Sequence, residues 1–271
     1  MTQDNERVEL LWRDEDARPG LSPDRVVAAA VEVADAEGLV GLSMRKVAEH
    51  LGFTTMSLYR HVPSREHLVD LMRDAVLDAA APDDTGAPWR ERLETAVRHG
   101  WELRKRHPWL AEERSTRHLP GPNALAHYEH LLSILASTSL PPADVVAAAG
   151  LLGRFLDAEA LALVEAARAE RDSGVSDEEF WGARDGLWSR MSRYPTLTAL
   201  WETGGFEQPD PFEFGLALLL DGVELRIAQR EGTRDEICAM CGGPIEQPAS
   251  GRPRAYCSRS CQQRAYRSRK R

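Results

Sequence analysis

The chain has four cysteines, Cys238, Cys241, Cys257 and Cys261, and all of them lie in its last 34 residues. They form a Cys-x2-Cys pair and a Cys-x3-Cys pair with fifteen residues between them. Thiolates spaced in this way read as a four-cysteine zinc site, with Gly242-Gly243 as the tight turn after the first pair. No histidine occurs beyond His130, so the ligand set is all cysteine. Four protein ligands leave no coordination position for water, which makes such a site structural. It would supply folding energy that so small a core lacks. The disulfide alternative is weak for a chain expected in the cytoplasm.

A second group of residues suits nucleic acid. In the stretch 42–68, Thr54, Thr55, Met56, Ser57, Tyr59, Arg60 and His61 crowd hydroxyl donors, a small apolar contact and a cation onto one short helix. Such a face fits base edges and phosphates and would pack poorly in a core. Met56 has no hydrogen-bonding group, so any reading it does is apolar, for example of a thymine methyl. A third, looser group lies in the body, where aromatic and polar residues gather near a helix break: Trp101, Arg104, Trp109, Asn123 and Tyr128, among histidines 99, 107, 118, 127 and 130. Aromatic walls with a few oriented polar groups suit a small-molecule pocket, although a lone histidine is more often a surface or capping residue. No Gly-rich phosphate loop, nucleophile elbow or His-Glu-x-x-His motif is present, so no enzyme is expected.

The elements that must position these groups are helices. Ala, Leu, Glu and Arg dominate, no period-two alternation is sustained, and the expected class is all-α. Ser22-Pro23 starts a helix with Val27, Ala30, Val31 and Ala34 at helical spacing, ending at Gly38. Ser43 caps a second helix with the stripe Val47, Ala48 and Leu51. Gly52 supplies the turn, and Thr54 caps the third helix, which Pro63 stops near His61. Two short helices across such a turn form a helix-turn-helix, whose second helix enters the major groove. Leu58 and Val62 face the core. Ser64 caps a further helix to about residue 80. A break follows at 82–88, rich in Pro, Asp and Gly. The body then spans 89–231, with helices expected at 89–106, from Asn123, at 143–169 and at 212–231, and a short amphipathic one carrying Phe180, Trp181, Leu187 and Trp188. The helices at 143–169 and 212–231 carry apolar residues on more than one face, which implies a partner chain in a four-helix dimer interface.

At 271 residues the chain allows roughly two domains. The expected divisions are a flexible arm at 1–20, with an apolar patch of Leu10, Leu11 and Trp12; a helix-turn-helix domain at 21–81; the body at 89–231; and a tail at 233–271. The start is polar, no secretory leader is expected, and no apolar run approaches a membrane span. Net charge is -9, but residues 250–271 hold eight basic and no acidic side chains. That segment is +8 and leaves residues 1–249 at -17. Its cations interleave with Tyr256 and Tyr266, which suits extra phosphate contacts that strengthen DNA binding; a solvated end that folds only around its metal and a contact with the acidic body are the alternatives.

Residues 22–80 resemble the DNA-binding domain of the tetracycline-repressor (TetR) family. The resemblance rests on Ser22-Pro23-Asp24, Ala34-Asp35-Ala36-Glu37-Gly38, Leu42-Ser43-Met44-Arg45-Lys46-Val47-Ala48, Leu51-Gly52 and Ser57-Leu58-Tyr59-Arg60-His61-Val62. It extends loosely over 89–231 through Gly121-Pro122-Asn123-Ala124-Leu125 with Tyr128, and through Phe214-Gly215-Leu216 with Asp221-Gly222-Val223-Glu224. It implies a homodimeric repressor of double-stranded operator DNA, palindromic in sequence, that a small-molecule effector releases. It places Arg45, Thr55, Met56, Ser57 and Arg60 toward bases, and Ser43, Tyr59, His61 and Arg65 toward phosphates; packing against the first helix is the alternative for Tyr59. It carries over no tetracycline–magnesium site, because the matching loop lacks the ligands. The tail resembles small treble-clef or zinc-ribbon modules. A small-molecule-binding or zinc-dependent helical protein without a transcriptional role is the competing expectation.

Overall fold

A computed structural model of the chain describes residues 3–12, 20–77, 86–112, 119–183, 186, 190–206, 210–236, 238, 240–245 and 254–268. It is all-α, with no strand among the described residues. Five helices precede the break: α1 (Gln3–Leu11), α2 (Pro23–Gly41), α3 (Met44–Leu51), α4 (Thr55–Tyr59) and α5 (Arg65–Val76). The body holds α6 (Trp89–Arg106), α7 (Trp109–Glu112), α8 (Pro122–Ala136), α9 (Pro142–Ser173), α10 (Asp177–Gly182), α11 (Pro195–Glu202) and α12 (Pro211–Glu236). The tail forms α13 (Arg259–Ser268).

The caps act where the sequence places them. The hydroxyls of Ser22, Ser43, Thr54 and Ser64 each accept a backbone N–H from the first turn of α2, α3, α4 and α5. These bonds satisfy donors that a helix start leaves open. Gly52 ends α3 in the left-handed region at φ 72°, and the Phe53 N–H reaches back to the Ala48 carbonyl. Around this turn, Val26, Ala30, Val47, Leu58, Val62, Leu68 and Met72 form a closed core. A second core joins Leu93, Val97, Ile134, Leu135, Leu152, Leu216 and Leu220 in the body. Leu103, Trp109 and Leu110 come from body helices but pack into the first core. The two units therefore share a tightly packed seam.

The structure differs from the sequence reading in several places. The first residues, expected as a flexible arm, include helix α1, whose Leu11 enters the first core and whose Arg7 pairs with the buried Asp70. That helix has no clear apolar stripe, and tertiary contacts such as these, with Leu10 also against the first core, hold it in place. Helix α9 continues to Ser173, four residues past the expected end, because Gly174 at φ 67° is the residue that ends it. Helix α12 reaches Glu236, beyond the expected 231. Helix α11 and the 3-10 turn Met191–Arg193 were not anticipated. Helix α10 carries Phe180 and Trp181 as expected, under a capping box of Ser176 and Glu179. The expected positions 13–19, 78–85, 117–118, Leu187 and Trp188 lie outside the described residues.

Helix α2 breaks at Gly38, where φ is 70° and ψ is 175°. A Cβ built there would sit 3.0 Å from the Glu112 carboxylate. Gly38→Ala is expected to lower unfolding free energy by about 1–3 kcal/mol, the usual cost of backbone held in a region that side chains avoid. Denaturant titration would check this, and an unchanged midpoint would contradict it.

Candidate functional site

The helix-turn-helix presents one outward surface. Helix α4 packs on α3 through Leu58, which is fully buried. Its other side leaves Met56 68% exposed and Tyr59 46% exposed, with Arg60 and Thr54 exposed beside them. Thr55, Ser57 and His61 are half-buried at the rim. The Thr54 and Ser57 hydroxyls lie 2.9 Å apart. Ser43 is half-buried, and its hydroxyl accepts the Lys46 N–H at 3.2 Å. Arg45 is exposed and rests on Glu49, one turn along α3. Arg65 departs from the expected role. Its guanidinium turns inward and donates to the Leu42 carbonyl at 3.2 Å and to the Leu39 carbonyl at 2.7 Å. Those carbonyls end the kinked segment of α2 and need donors, so Arg65 holds the loop.

Three carboxylates tie this unit to the body. Asp35 on α2 accepts the Trp109 Nε1–H at 2.7 Å and lies 2.8 Å from His107 Nδ1. Glu112 on α7 accepts the Leu39 N–H at 3.0 Å, just past the Gly38 kink. Asp74 on α5 accepts the Ala124 N–H at 2.9 Å and the Asn123 N–H at 3.4 Å, at the start of α8. Burial raises the Asp74 pKa, and these two backbone donors oppose the rise.

A cavity of about 470 Å³ opens at this junction, lined by Asp35, Gly38, Trp101, Arg104, Trp109 and Glu112 together with residues of α9 from Ala160 to Arg171. Trp101 stacks on Phe212 at 4.6 Å, and Lys105 Nζ lies 5.8 Å from the centre of the Trp101 ring. Arg104 is held by Asp157 at 2.7 Å. Three of the five candidate ligand residues, Trp101, Arg104 and Trp109, therefore share one wall system. The other two do not join them. Asn123 donates through Nδ2 to the Asp74 carbonyl at 3.1 Å and fastens α8 to α5. Tyr128 is 39% exposed and is not in this lining. The sequence reading missed Asp35, Gly38 and Glu112. Asp35 and Gly38 stood in the Ala34–Gly38 run, which was read as a resemblance signal and, at Gly38, as a helix end.

His127, on α8, has its pKa pushed down to about 4 by burial, with Arg104 and two neighbouring histidines adding repulsion. In the unfolded chain it titrates near 6.5. Protonation therefore favours unfolding, and its stability contribution is complete above pH 6.5 and is lost as pH falls toward 4. Melting temperature is expected to fall across that window, and His127→Gln should flatten the fall. An equal slope in the variant would assign it elsewhere.

In the tail, the four cysteine sulfurs lie within 4.8 Å of one another. Cys241 and Cys257 are 3.6 Å apart, and Cys257 and Cys261 are 3.7 Å apart. Tetrahedral thiolates at zinc sit about 3.8 Å apart, given Zn–S bonds of about 2.3 Å, so the donor set fits that ion. A turn through Gly242 brings the first pair together, with the Cys238 N–H on the Gly243 carbonyl at 2.7 Å. Helix α13 carries Cys261 on its first turn. The Ser258 hydroxyl and the Arg264 guanidinium hold the Cys261 thiol below its ordinary pKa. Ile245 and Tyr256 complete a very small core.

The outer side of the body is apolar. Val146 and Leu151 on α9 and Phe214, Leu218 and Leu225 on α12 are about half exposed, between 46% and 59%. No helix among the described residues is long and apolar enough to cross a membrane.

Comparisons with known proteins agree with this architecture. A family profile described as "Bacterial regulatory proteins, tetR family" matches residues 26–72. A second, "Tetracyclin repressor-like, C-terminal domain", matches residues 81–227. The chain is 40% identical over 236 residues to the HTH-type transcriptional repressor DrrR1 of Streptomyces coeruleorubidus, covering 83% of this chain and 87% of that one. Among solved structures, apo ActR from Streptomyces coelicolor superposes with a TM-score of 0.64 at 29% identity, over 79% of this chain and 99% of that one. ActR in complex with actinorhodin gives 0.65 at 28% identity, over 78% and 99%.

Proposed function

The chain belongs to the TetR family of bacterial regulators, and from that premise we propose that it is a ligand-responsive repressor that binds a palindromic operator as a homodimer. The observation that carries this reading is the junction cavity. It touches Asp35, Gly38 and Glu112, the residues that set the angle of α2, and α2 braces the helix-turn-helix. A molecule seated against Trp101 and Trp109, with a polar group toward Arg104, can bind one setting of that angle better than another. Differential affinity of this kind is what shifts a two-state equilibrium. The residues offered to DNA are Ser43, Arg45, Thr54, Thr55, Met56, Ser57, Tyr59, Arg60 and His61. DrrR1 is named a repressor, and ActR has been solved with a bound small molecule. Both facts support the reading.

The apolar faces of α9 and α12 support dimerisation, since a stripe of this kind in water normally marks an interface. A two-fold dimer would present α4 to successive major grooves about one helical turn apart. We assign zinc to Cys238, Cys241, Cys257 and Cys261 on the fit of the sulfur spacing. The decisive experiment is retardation of a duplex from the protein's own promoter region, followed by a screen for small molecules that reverse it. Absence of sequence-specific retardation at every salt concentration would overturn the regulator reading. One zinc per chain by elemental analysis is expected, and zinc-free protein with all four thiols titratable would overturn the metal assignment.

A further inference from the structure

The helix directions fix where the cysteine module sits. The last turn of α6, helix α7 and the start of α8 all meet the helix-turn-helix unit, through Asp35 and Trp109 and through Asp74 and Ala124. Helix α12 begins near that end of α6, where Phe212 stacks on Trp101. It then runs away from it. Glu213 pairs with Arg98, and Asp221 and Glu224 pair with Arg90 at the opposite end of α6. Arg226 pairs with Asp144 in the first turn of α9. From there α12 continues to Glu236, roughly 15 Å farther at 1.5 Å per residue. Cys238 lies two residues past Glu236, whose place on α12 is roughly 36 Å along the axis from Phe212. The module is at the pole opposite α4. Extra contacts with the phosphates of the same operator, expected from the charge of the tail, do not fit this placement.

The charge of the tail suits an anionic partner. Residues 250–271 carry +8 with no acidic side chain. On α13, Arg259, Gln263 and Arg267 recur at every fourth position and are exposed, with Arg254 exposed before them. Arg and Gln side chains are the usual donors to phosphate oxygens. A protein on its operator is also surrounded by neighbouring duplex at high local concentration.

We propose that the zinc-loaded module is a second duplex-binding surface. It takes the phosphate backbone of a DNA segment other than the operator under α4, so that one regulator joins two stretches of duplex. The proposal rests on the zinc assignment above and on the repressor reading only for the identity of the first duplex.

The test uses full-length, zinc-loaded protein and its Arg259→Ala/Arg267→Ala variant. Both positions are exposed and neither contacts a cysteine, and zinc content verifies that the module is intact. Arg264, which donates to Cys261 at 3.3 Å, is left unchanged. Direct binding to a duplex without operator sequence is measured by fluorescence anisotropy across a salt series. Capture of that labelled duplex by protein on immobilised operator is measured in parallel. The variant is expected to capture the second duplex at least about fivefold less well, and its salt slope for non-operator duplex should fall by about 1.8 for two lost phosphate contacts. Its operator retention should not change. Equal capture and equal slope in the two proteins would overturn the proposal, as would absence of duplex capture by zinc-loaded wild type. Self-association without DNA that the variant abolishes, with no duplex capture, would assign the basic face to the acidic body of a second copy and would also overturn it. Failure of operator retention alone would sink the repressor reading, and the anisotropy series would still decide the module.

Discussion

Arg60→Ala is expected to weaken operator binding by about 5–150-fold, the equivalent of losing one base contact worth about 1–3 kcal/mol. Arg60 closes the short helix α4 and is exposed. It supports no packing, so the melting temperature should stay within a degree or two of wild type. Affinity measured on specific and scrambled duplexes would tell whether Arg60 contacts a base or a phosphate. A base contact weakens only the specific complex and relaxes the choice at one position, whereas a phosphate contact weakens both and lowers the salt slope by about one. Arg65→Ala is a useful contrast. Its guanidinium holds two carbonyls of the α2–α3 connection, so its effect should appear first in stability.

The second large effect is at Trp109. This side chain is fully buried, packs into the first core from a body helix and donates its indole N–H to Asp35. Trp109→Ala is expected to lower unfolding free energy by about 3–5 kcal/mol, the usual range for deleting a large buried aromatic. Trp109→Phe separates the two contributions. It keeps most of the volume and removes the donor, which should cost about 1–3 kcal/mol for a carboxylate left short of a partner. Chemical denaturation would measure both. If Trp109→Phe were as stable as wild type, the bond to Asp35 would not hold the seam.

Much of this was legible in the sequence because the signals were local. Ser22, Ser43, Thr54 and Ser64 each announce a helix start by chemistry that acts within three residues, and each acts that way. Gly52 announces a turn for an equally local reason. The cysteine spacing also foretold a cluster. What stayed hidden depended on distant partners. Arg65 looks like any other cation near a recognition helix until the Leu39 and Leu42 carbonyls stand in front of it. Asn123 looks like a ligand residue or a cap until Asp74, about fifty positions earlier, claims it. Helix α1 has no stripe to announce it, and it relies on Asp70 for its Arg7 contact. The direction of α12, which moves the basic tail to the far pole, follows from ion pairs with Arg90 and Asp144 that no periodicity records.

The three carboxylates at the seam also bear on how the molecule responds to dose. Asp35 and Asp74 reach from the helix-turn-helix unit and Glu112 reaches from the body, so the links cross in both directions. A partial shift that frees Asp74 leaves a buried carboxylate without its two backbone donors, at about 1–3 kcal/mol, whereas the more solvated Asp35 and Glu112 lose their partners at less. Intermediate angles are therefore disfavoured relative to either end. Within each molecule the seam acts as a toggle rather than a dimmer: the angle holds while Asp74 keeps its donors, and ligand changes the fraction of molecules in each setting.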